Sequence, residues 1–456
     1  MKTQRHEMDM CSGPLLLKML QFSFPLMLSG VLQLLFNAAD TVVVGRFSGK
    51  EALAAVGSTS SLINLLINVF MGLSIGTNVL VARYAGARDE KNAQETIHTA
   101  VLVSILCGIG LIFVGWFFSR PLLVLMGTPE DVLEKAALYM RIYFLSMPAL
   151  MLYNFGSAIL RAVGDTKRPL YFLSIAGVVN VIFNLIFVIG FDWSVAGVAA
   201  ATAISQILSA AMVLGCMMKE RGICRVDVRH LRIHGEKLRS MLKIGIPAGV
   251  QGSLFSLSNT IVQSSINSFG SVAMAASAAA SNIEGLVWTS MSSVMQATLS
   301  FTSQNIGAKK FSRINRISLL GVGIVSVLGI VLGGSAVIFA RPLLNIYNSD
   351  PAVIAIGVRR MLLICIPYFT GGIMDVMAGS MRGLGYSMLP TLVSLMGVCG
   401  LRMLWIFTVF ASKPSLDVLF FVYPLSWVVT GTAHILCFIK ARKNIPAEDI
   451  PDSPFY

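Results

Sequence analysis

Residues 169–190 read PLYFLSIAGVVNVIFNLIFVIG, a stretch of 22 residues without a single charge. A helix of that length rises about 33 Å, enough to cross the ~30 Å hydrocarbon core of a bilayer. Its only strongly polar side chains, Asn180 and Asn184, stand one helical turn apart. Working outward, runs of similar length and apolarity recur near 15–45, 52–82, 95–118, 136–160, 194–218, 241–268, 273–302, 317–340, 352–381, 389–411 and 416–439, making twelve in all. Composition agrees: of 456 residues 55% are apolar and 12% charged, with mean hydropathy +0.76. A soluble domain carries about a quarter charged residues, so this chain cannot coat a water-facing surface. The expected fold is all-α and membrane-integral, with 12 transmembrane helices.

The net charge of +13 raises nucleic acid as a partner, and its distribution removes the need for one. With both termini in the cytoplasm, most of the 35 Lys and Arg face that side. They include Lys2 and Arg5, the loop residues Arg83, Arg88, Lys91, Arg161, Lys167 and Arg168, and Lys309, Lys310, Arg313 and Arg316. Only Arg46, Lys50, Arg120, Lys135, Arg341 and Lys413 face the other side, while Arg141, Arg359, Arg360 and Arg402 fall inside spans. This is the positive-inside pattern of a multi-pass protein in the cell membrane. Residues 1–13 are polar and no cleaved targeting peptide is expected.

The two halves of the chain repeat one pattern. SFPLMLSG at Ser23 answers GIPAGVQG at Gly245, and RYAGARDEKN at Arg83 answers QNIGAKKFSR at Gln304. SRPLLVLMGTPE at Ser119 answers ARPLLNIYNSDP at Ala340, and SAILRAVGDTKRP at Ser157 answers GSMRGLGYSMLP at Gly379. Gly86 and Gly307, Pro121 and Pro342, Arg161 and Arg382, and Pro169 and Pro390 are all 221 residues apart. That interval spans six helices, an even number, so the repeats insert the same way up. The organisation expected is an N-lobe over 1–218, a basic cytoplasmic linker over 219–240, a C-lobe over 241–440 and a polar tail over 441–456.

A charge at mid-membrane costs at least about 2.5–3.5 kcal/mol, so an acid inside a span is a functional candidate. Asp40, Glu284 and Asp375 are the acids that fall well inside apolar runs. Asp40 follows Gln33 and Asn37 at helical spacing, which places all three on one face of the first span. Such a carboxylate can take up a proton or balance a monovalent cation. Asn180 and Asn184 on the fifth span, and Thr202 and Gln206 on the sixth, offer amides and a hydroxyl to the same purpose. Intramembrane amides also serve simply as packing glue. On the seventh span Asn259, Gln263 and Asn267 share a face, but Val262 stands where the repeat places the partner of Asp40. Glu284 continues a face with Ser277, Ser281 and Trp288; Asp375 is the repeat partner of Asn154. For Glu284 an arginine partner in its own lobe is as good a reading as a transport role, and Arg359, Arg360 and Arg402 are candidates to pair with Asp375.

The rest of the chain carries little chemistry. Cys11, Cys107, Cys216, Cys224, Cys365, Cys399 and Cys437 occur singly, as packed thiols do. His230 and His234 lie in the basic linker and read as solvated surface. There is no nucleotide-binding loop, no H-E-x-x-H and no G-x-S-x-G, so neither an enzyme, a cofactor nor a resident metal is expected.

At this point the chain resembles a known family, the multidrug and toxic compound extrusion (MATE) transporters, and most closely its DinF-like branch. FPLMLSGVLQLLFNAADTVVVGRFSGKEALAAVG from Phe24 resembles the family's first helix and following loop, and LRAVGDTKRPL its fourth loop. NVIFNLIFVIG with VAGVAAATAISQ resembles helices five and six, and SQNIGAKK the loop after helix eight. The resemblance implies a V-shaped pair of six-helix lobes exporting organic, often cationic, compounds in exchange for H⁺ or Na⁺. It implies an ion-coupling site at Asp40, Asn154, Asn180, Asn184 and Thr202, with a monovalent cation or proton at Asp40. Gln33, Asn37, Gln206, Asn259, Gln263, Glu284 and Asp375 are candidates to line the substrate path. Asn184 is a departure, since many members carry aspartate there, and it leaves the choice of ion open. A second departure is that the branch with acids in helices seven and ten has apolar residues or glycine at those positions here.

The function expected is therefore a secondary active multidrug antiporter, acting as a monomer on small drug-like compounds. Its rival within the same superfamily is a lipid-linked sugar flippase, which a basic stripe and extra helices would favour; neither is evident. A membrane-embedded enzyme would need clustered His, Asp and Glu at one depth, whereas the three acids lie on three spans.

Overall fold

The structure is a computed structural model that describes residues 7–220 and 222–450. Lys2, Arg5 and Arg221 of the charge pattern lie outside the described residues, as does the end of the tail beyond Ile450. The helices are α1 (Leu15–Phe47), α2 (Gly49–Gly86), α3 (Glu90–Leu125), α4 (Glu130–Leu145), α5 (Met147–Ala162), α6 (Lys167–Leu185) and α7 (Ser194–Lys219). After the linker come α8 (Gly235–Asn267), α9 (Ser271–Gly307), α10 (Ser312–Ile338), α11 (Ala340–Tyr347), α12 (Pro351–Cys365) and α13 (Tyr368–Leu384). The last are α14 (Met388–Ser394), α15 (Leu401–Trp405) and α16 (Leu416–Arg442). No strand occurs among the described residues. In hydrocarbon the backbone has no water to bond, and a helix satisfies its own N–H and C=O groups within the segment.

Among the described residues eight helices are long and apolar enough to cross a membrane. Two bent pairs, α4 with α5 at 49° and α12 with α13 at 43°, raise that to ten. Both bends fall beside a proline, Pro148 and Pro367, whose missing N–H and ring break the helical ladder. The other two long helices, α8 and α9, have 33 and 37 residues but are rich in Ser, Asn and Gln, which lowers their apolarity. By length and apolarity the described residues thus supply eight to ten spans, against the twelve expected, and α8 and α9 are the long helices that fall short on apolarity. Large apolar side chains face outward: Leu125 is 83% exposed, Ile338 77% and Phe407 74%. Such a surface suits lipid rather than water.

The repeat is visible in the backbone. Left-handed conformations occur at Arg88 and Lys309, and at Gly164 and Gly385, each pair 221 residues apart. Three wide π-helical segments interrupt the spans at Ile186–Gly190, Leu395–Gly400 and Ile406–Phe410.

The chain divides into two compact units. The first holds Met1–Asp9 with Leu28–Gly249, and the second Met10–Met27 with Val250–Tyr456. The first half of α1 thus belongs with the second unit, and the first half of α8 with the first. Within the first unit α2 and α8 meet through two Gly-x-x-x-Gly steps. A Cβ added at Gly72 would stand 2.2 Å from Gly249 N, and one at Gly76 2.5 Å from the Met241 carbonyl. Only glycine allows so close an approach of two backbones. Part of the linker also packs here: Asp227 N–H donates to His98 Nε2 at 3.3 Å and His234 N–H to Thr99 Oγ1 at 3.0 Å. His230 stays solvent-exposed beside Asp227, while His234 is half-buried. In the second unit, Met291, Val325, Met361, Cys365 and Trp427 belong to a buried apolar cluster. All seven cysteines are free thiols.

Candidate functional site

In the first unit α1, α6 and α7 bring Asp40, Asn180, Asn184 and Thr202 together. Asn184, fully buried, donates from Nδ2 to Asp40 Oδ1 and, at 3.3 Å, to Asn180 Oδ1. Asn180 in turn donates to Thr202 Oγ1 at 3.4 Å, and the Thr202 hydroxyl donates to the Val198 carbonyl at 3.0 Å. The links diverge from Asn184, which donates to Asp40 on one side and to Asn180, and through it Thr202, on the other. Spacing explains the geometry: Asn180 and Asn184 stack on one face of α6, and the π segment begins two residues beyond Asn184. Both N–H groups of the Asn184 amide are used, yet its buried Oδ1 has no hydrogen-bond partner. Buried amide oxygens are rarely left so.

Around this chain lie two residues that sequence reasoning missed. Tyr139 and Tyr143 stack at 5.9 Å between ring centroids on α4, and both lie within reach of the Asp40 charge. Tyr143 is hydrogen-bonded with Gln206, whose Oε1 also accepts from the Ser146 hydroxyl at 2.5 Å. Their signal in the sequence is two tyrosines one turn apart inside a span. Asn154 does not join the network; its Nδ2 donates to the Leu150 carbonyl of its own helix at 2.8 Å. Gln33 and Asn37 are exposed on α1, on the face that carries Asp40.

The second unit holds its charges differently. Glu284 is taken by Arg360, with Nε to Oε1 at 2.8 Å and Nη2 to Oε2 at 2.9 Å, both side chains deeply buried. Ser281 Oγ accepts from the same Nη2 at 3.0 Å. Asp375 pairs with none of the three arginines expected for it. Arg359 goes to Asp417, Arg360 to Glu284, and Arg402 to Asn259 and Ser426. The charged neighbour of Asp375 is instead Arg382, two turns along the same helix, which donates to Gln251 Oε1 at 2.6 Å. Gln263 and Asn267 bond to each other at 2.9 Å, and Val262 is fully buried.

The family model MatE matches the chain twice, over residues 25–186 and 247–408. The probable multidrug resistance protein YoeA of Bacillus subtilis is 30% identical over 388 residues, covering 84% of each chain. The probable multidrug resistance protein YpnP of the same organism is 29% identical over 385 residues, covering 84% of this chain and 86% of that one. Among solved structures, the MATE transporter VcmN of Vibrio cholerae superposes with a TM-score of 0.88 at 22% identity, over 94% of this chain and 97% of that one.

Proposed function

This chain belongs to the MatE family, a family of multi-span membrane transporters and not of enzymes, and we propose that it exports small organic compounds in exchange for protons. The observation that carries the proton is the Asn184 amide. Its Nδ2 donates to Asp40 while its Oδ1 stands without a partner. A protonated carboxyl gains one O–H donor. Carboxylic acids and primary amides pair through two hydrogen bonds in a ring, N–H to carbonyl and O–H to amide oxygen. Protonated Asp40 completes that ring with Asn184, and ionised Asp40 leaves it half made. Proton uptake thus satisfies the one buried amide oxygen the network leaves open.

Na⁺ fits less well. A hard cation needs several oxygen ligands to replace its water. Asn180 Oδ1 and Thr202 Oγ1 already accept hydrogen bonds within the chain, and Asn184 brings no second negative charge. The names of the relatives support drug-like compounds as cargo, and the charge pattern supports a cell-membrane protein with both termini cytoplasmic.

The test is efflux of an organic cation from proteoliposomes under one imposed gradient at a time. A pH gradient alone drives it on this reading. Robust efflux under a Na⁺ gradient, with pH equal on both sides and a protonophore present, overturns the proton assignment.

A further inference from the structure

The second unit repeats the Asp40 site with the opposite charge. Pro25 and Pro247 lie 222 residues apart near the starts of α1 and α8, so Asn37 corresponds to Asn259 and Asp40 to the buried Val262. On the facing helix the interval is 221 at Pro169 and Pro390, and it grows by one across the π segment Leu395–Gly400. A π turn is a helix carrying one extra residue. The family match, ending at residues 186 and 408, keeps the longer interval. Asn180, a link in the Asp40 network, therefore has Arg402 as its counterpart. The acid is gone and a base has arrived.

Arg402 is 3% exposed. Its Nε donates to Ser426 Oγ at 3.2 Å and its Nη1 to Asn259 Oδ1 at 2.7 Å, and the guanidinium lies 4.5 Å from the centre of the Tyr423 ring. All three partners are neutral. The acids of this unit's spans have other charged neighbours, Arg360 for Glu284 and Arg382 for Asp375. Among the described residues Nη2 makes no hydrogen bond, and Asn259 beside it is exposed. The guanidinium is thus one side chain from the open face of α8. A π segment flanks it on each side, Leu395–Gly400 and Ile406–Phe410, and such wide turns recur at functional sites. A buried charge inside a span is costly unless something balances it.

We propose that Arg402, with Asn259 and Tyr423, binds the anionic group, a carboxylate or a phosphate, of compounds this transporter moves. The inference rests on the transport reading above and adds a substrate class to it. The planar guanidinium offers parallel N–H groups to two oxygens of such a group, and Tyr423 holds its plane. The transporter then accepts zwitterionic and anionic organic molecules, with the acidic group held in the second unit and the coupling proton held in the first.

The test uses the full-length chain in lipid nanodiscs, titrated by calorimetry with three probes sharing one ring system: 1-naphthoate, 1-naphthyl phosphate and 1-naphthylmethylammonium. At least one anionic probe binds, and the tighter of the two tells carboxylate from phosphate. Arg402→Gln weakens that binding by roughly tenfold or more, as loss of a charge-assisted pair does, and leaves the ammonium probe within about twofold. Asn259→Asp, at an exposed position, supplies a carboxylate of the chain itself to Arg402 and abolishes anion binding even where Arg402→Gln fails to fold. Unchanged anion binding in Asn259→Asp, or a wild type that binds the ammonium alone, overturns the proposal and leaves the transport reading standing. Binding of none of the three overturns it as well, and gradient-driven efflux then judges the transport reading separately.

Discussion

Replacing Glu284 by Gln strands Arg360 in the interior of the second unit. The pair is made of two charge-assisted hydrogen bonds at 2.8 and 2.9 Å, and the side chains are only 4% and 9% exposed. Arg360 also rests 5.4 Å from the Phe420 ring centre and 5.9 Å from that of Tyr423, so it has no path to water without disturbing the core. Breaking a buried pair by removing one partner costs about 3–5 kcal/mol, because the remaining charge is left uncompensated. Removing both charges, as in Glu284→Gln with Arg360→Met, relieves that penalty and recovers most of the loss. The expected coupling energy is roughly 2–3 kcal/mol. The assay is the apparent melting midpoint of the detergent-solubilised protein, followed by loss of the monodisperse peak after heating. Efflux is measured in parallel at a temperature where every variant is folded. The single variant melts well below the double one and still transports when folded. A Glu284→Gln variant as stable as wild type but unable to transport refutes the reasoning and makes this carboxylate part of the transport machinery.

Two further outcomes follow from the first unit. Gly72→Ala places a Cβ 2.2 Å from Gly249 N and 2.3 Å from the Gly245 carbonyl, both backbone atoms, so α2 and α8 must separate; a loss of about 1–3 kcal/mol is expected, read as a lowered melting midpoint against Gly57→Ala, whose Cβ meets nothing within 4 Å. Asp89 caps α3, accepting from Asn92 Nδ2 at 2.6 Å and from Asn92 N at 3.1 Å, and these bonds hold its carboxyl below the usual range. Its stabilisation, roughly 1 kcal/mol for a helix cap, is present above the ordinary carboxylate pKa and is lost as pH falls through the lowered one. The melting difference between wild type and Asp89→Ala accordingly shrinks on strong acidification, and a difference independent of pH contradicts the capping role.

Periodicity carried the reading of the spans because every apolar helix must satisfy its own backbone and differ from its loops in charge. The repeat was legible for a related reason: Gly164 and Gly385 occupy matching left-handed turns that only a short list of residues tolerates. Spacing alone placed Asn180 and Asn184 on one face, and the structure joins them to Asp40 and Thr202. Partner choice was harder to see. Helical spacing names a face but not the helix opposite it, so it does not single out Tyr139 and Tyr143, and it gives Asp375 three arginines on other helices rather than Arg382 on its own. Asn154 shows the local competition: its amide bonds one turn back to Leu150 rather than across to the network. The charge reversal at Arg402 was hidden by a single inserted residue, since a fixed interval of 221 matches Asn180 to Leu401 instead.

On the proposed function, Asp40 carries the coupled proton. The most direct test is substrate-dependent proton movement, followed with a trapped pH dye in proteoliposomes holding wild type or Asp40→Asn. Wild type moves protons when substrate is added on the appropriate side, and Asp40→Asn, folded and still able to bind substrate, moves none above the empty-liposome rate. Proton movement in Asp40→Asn at the wild-type rate contradicts the account.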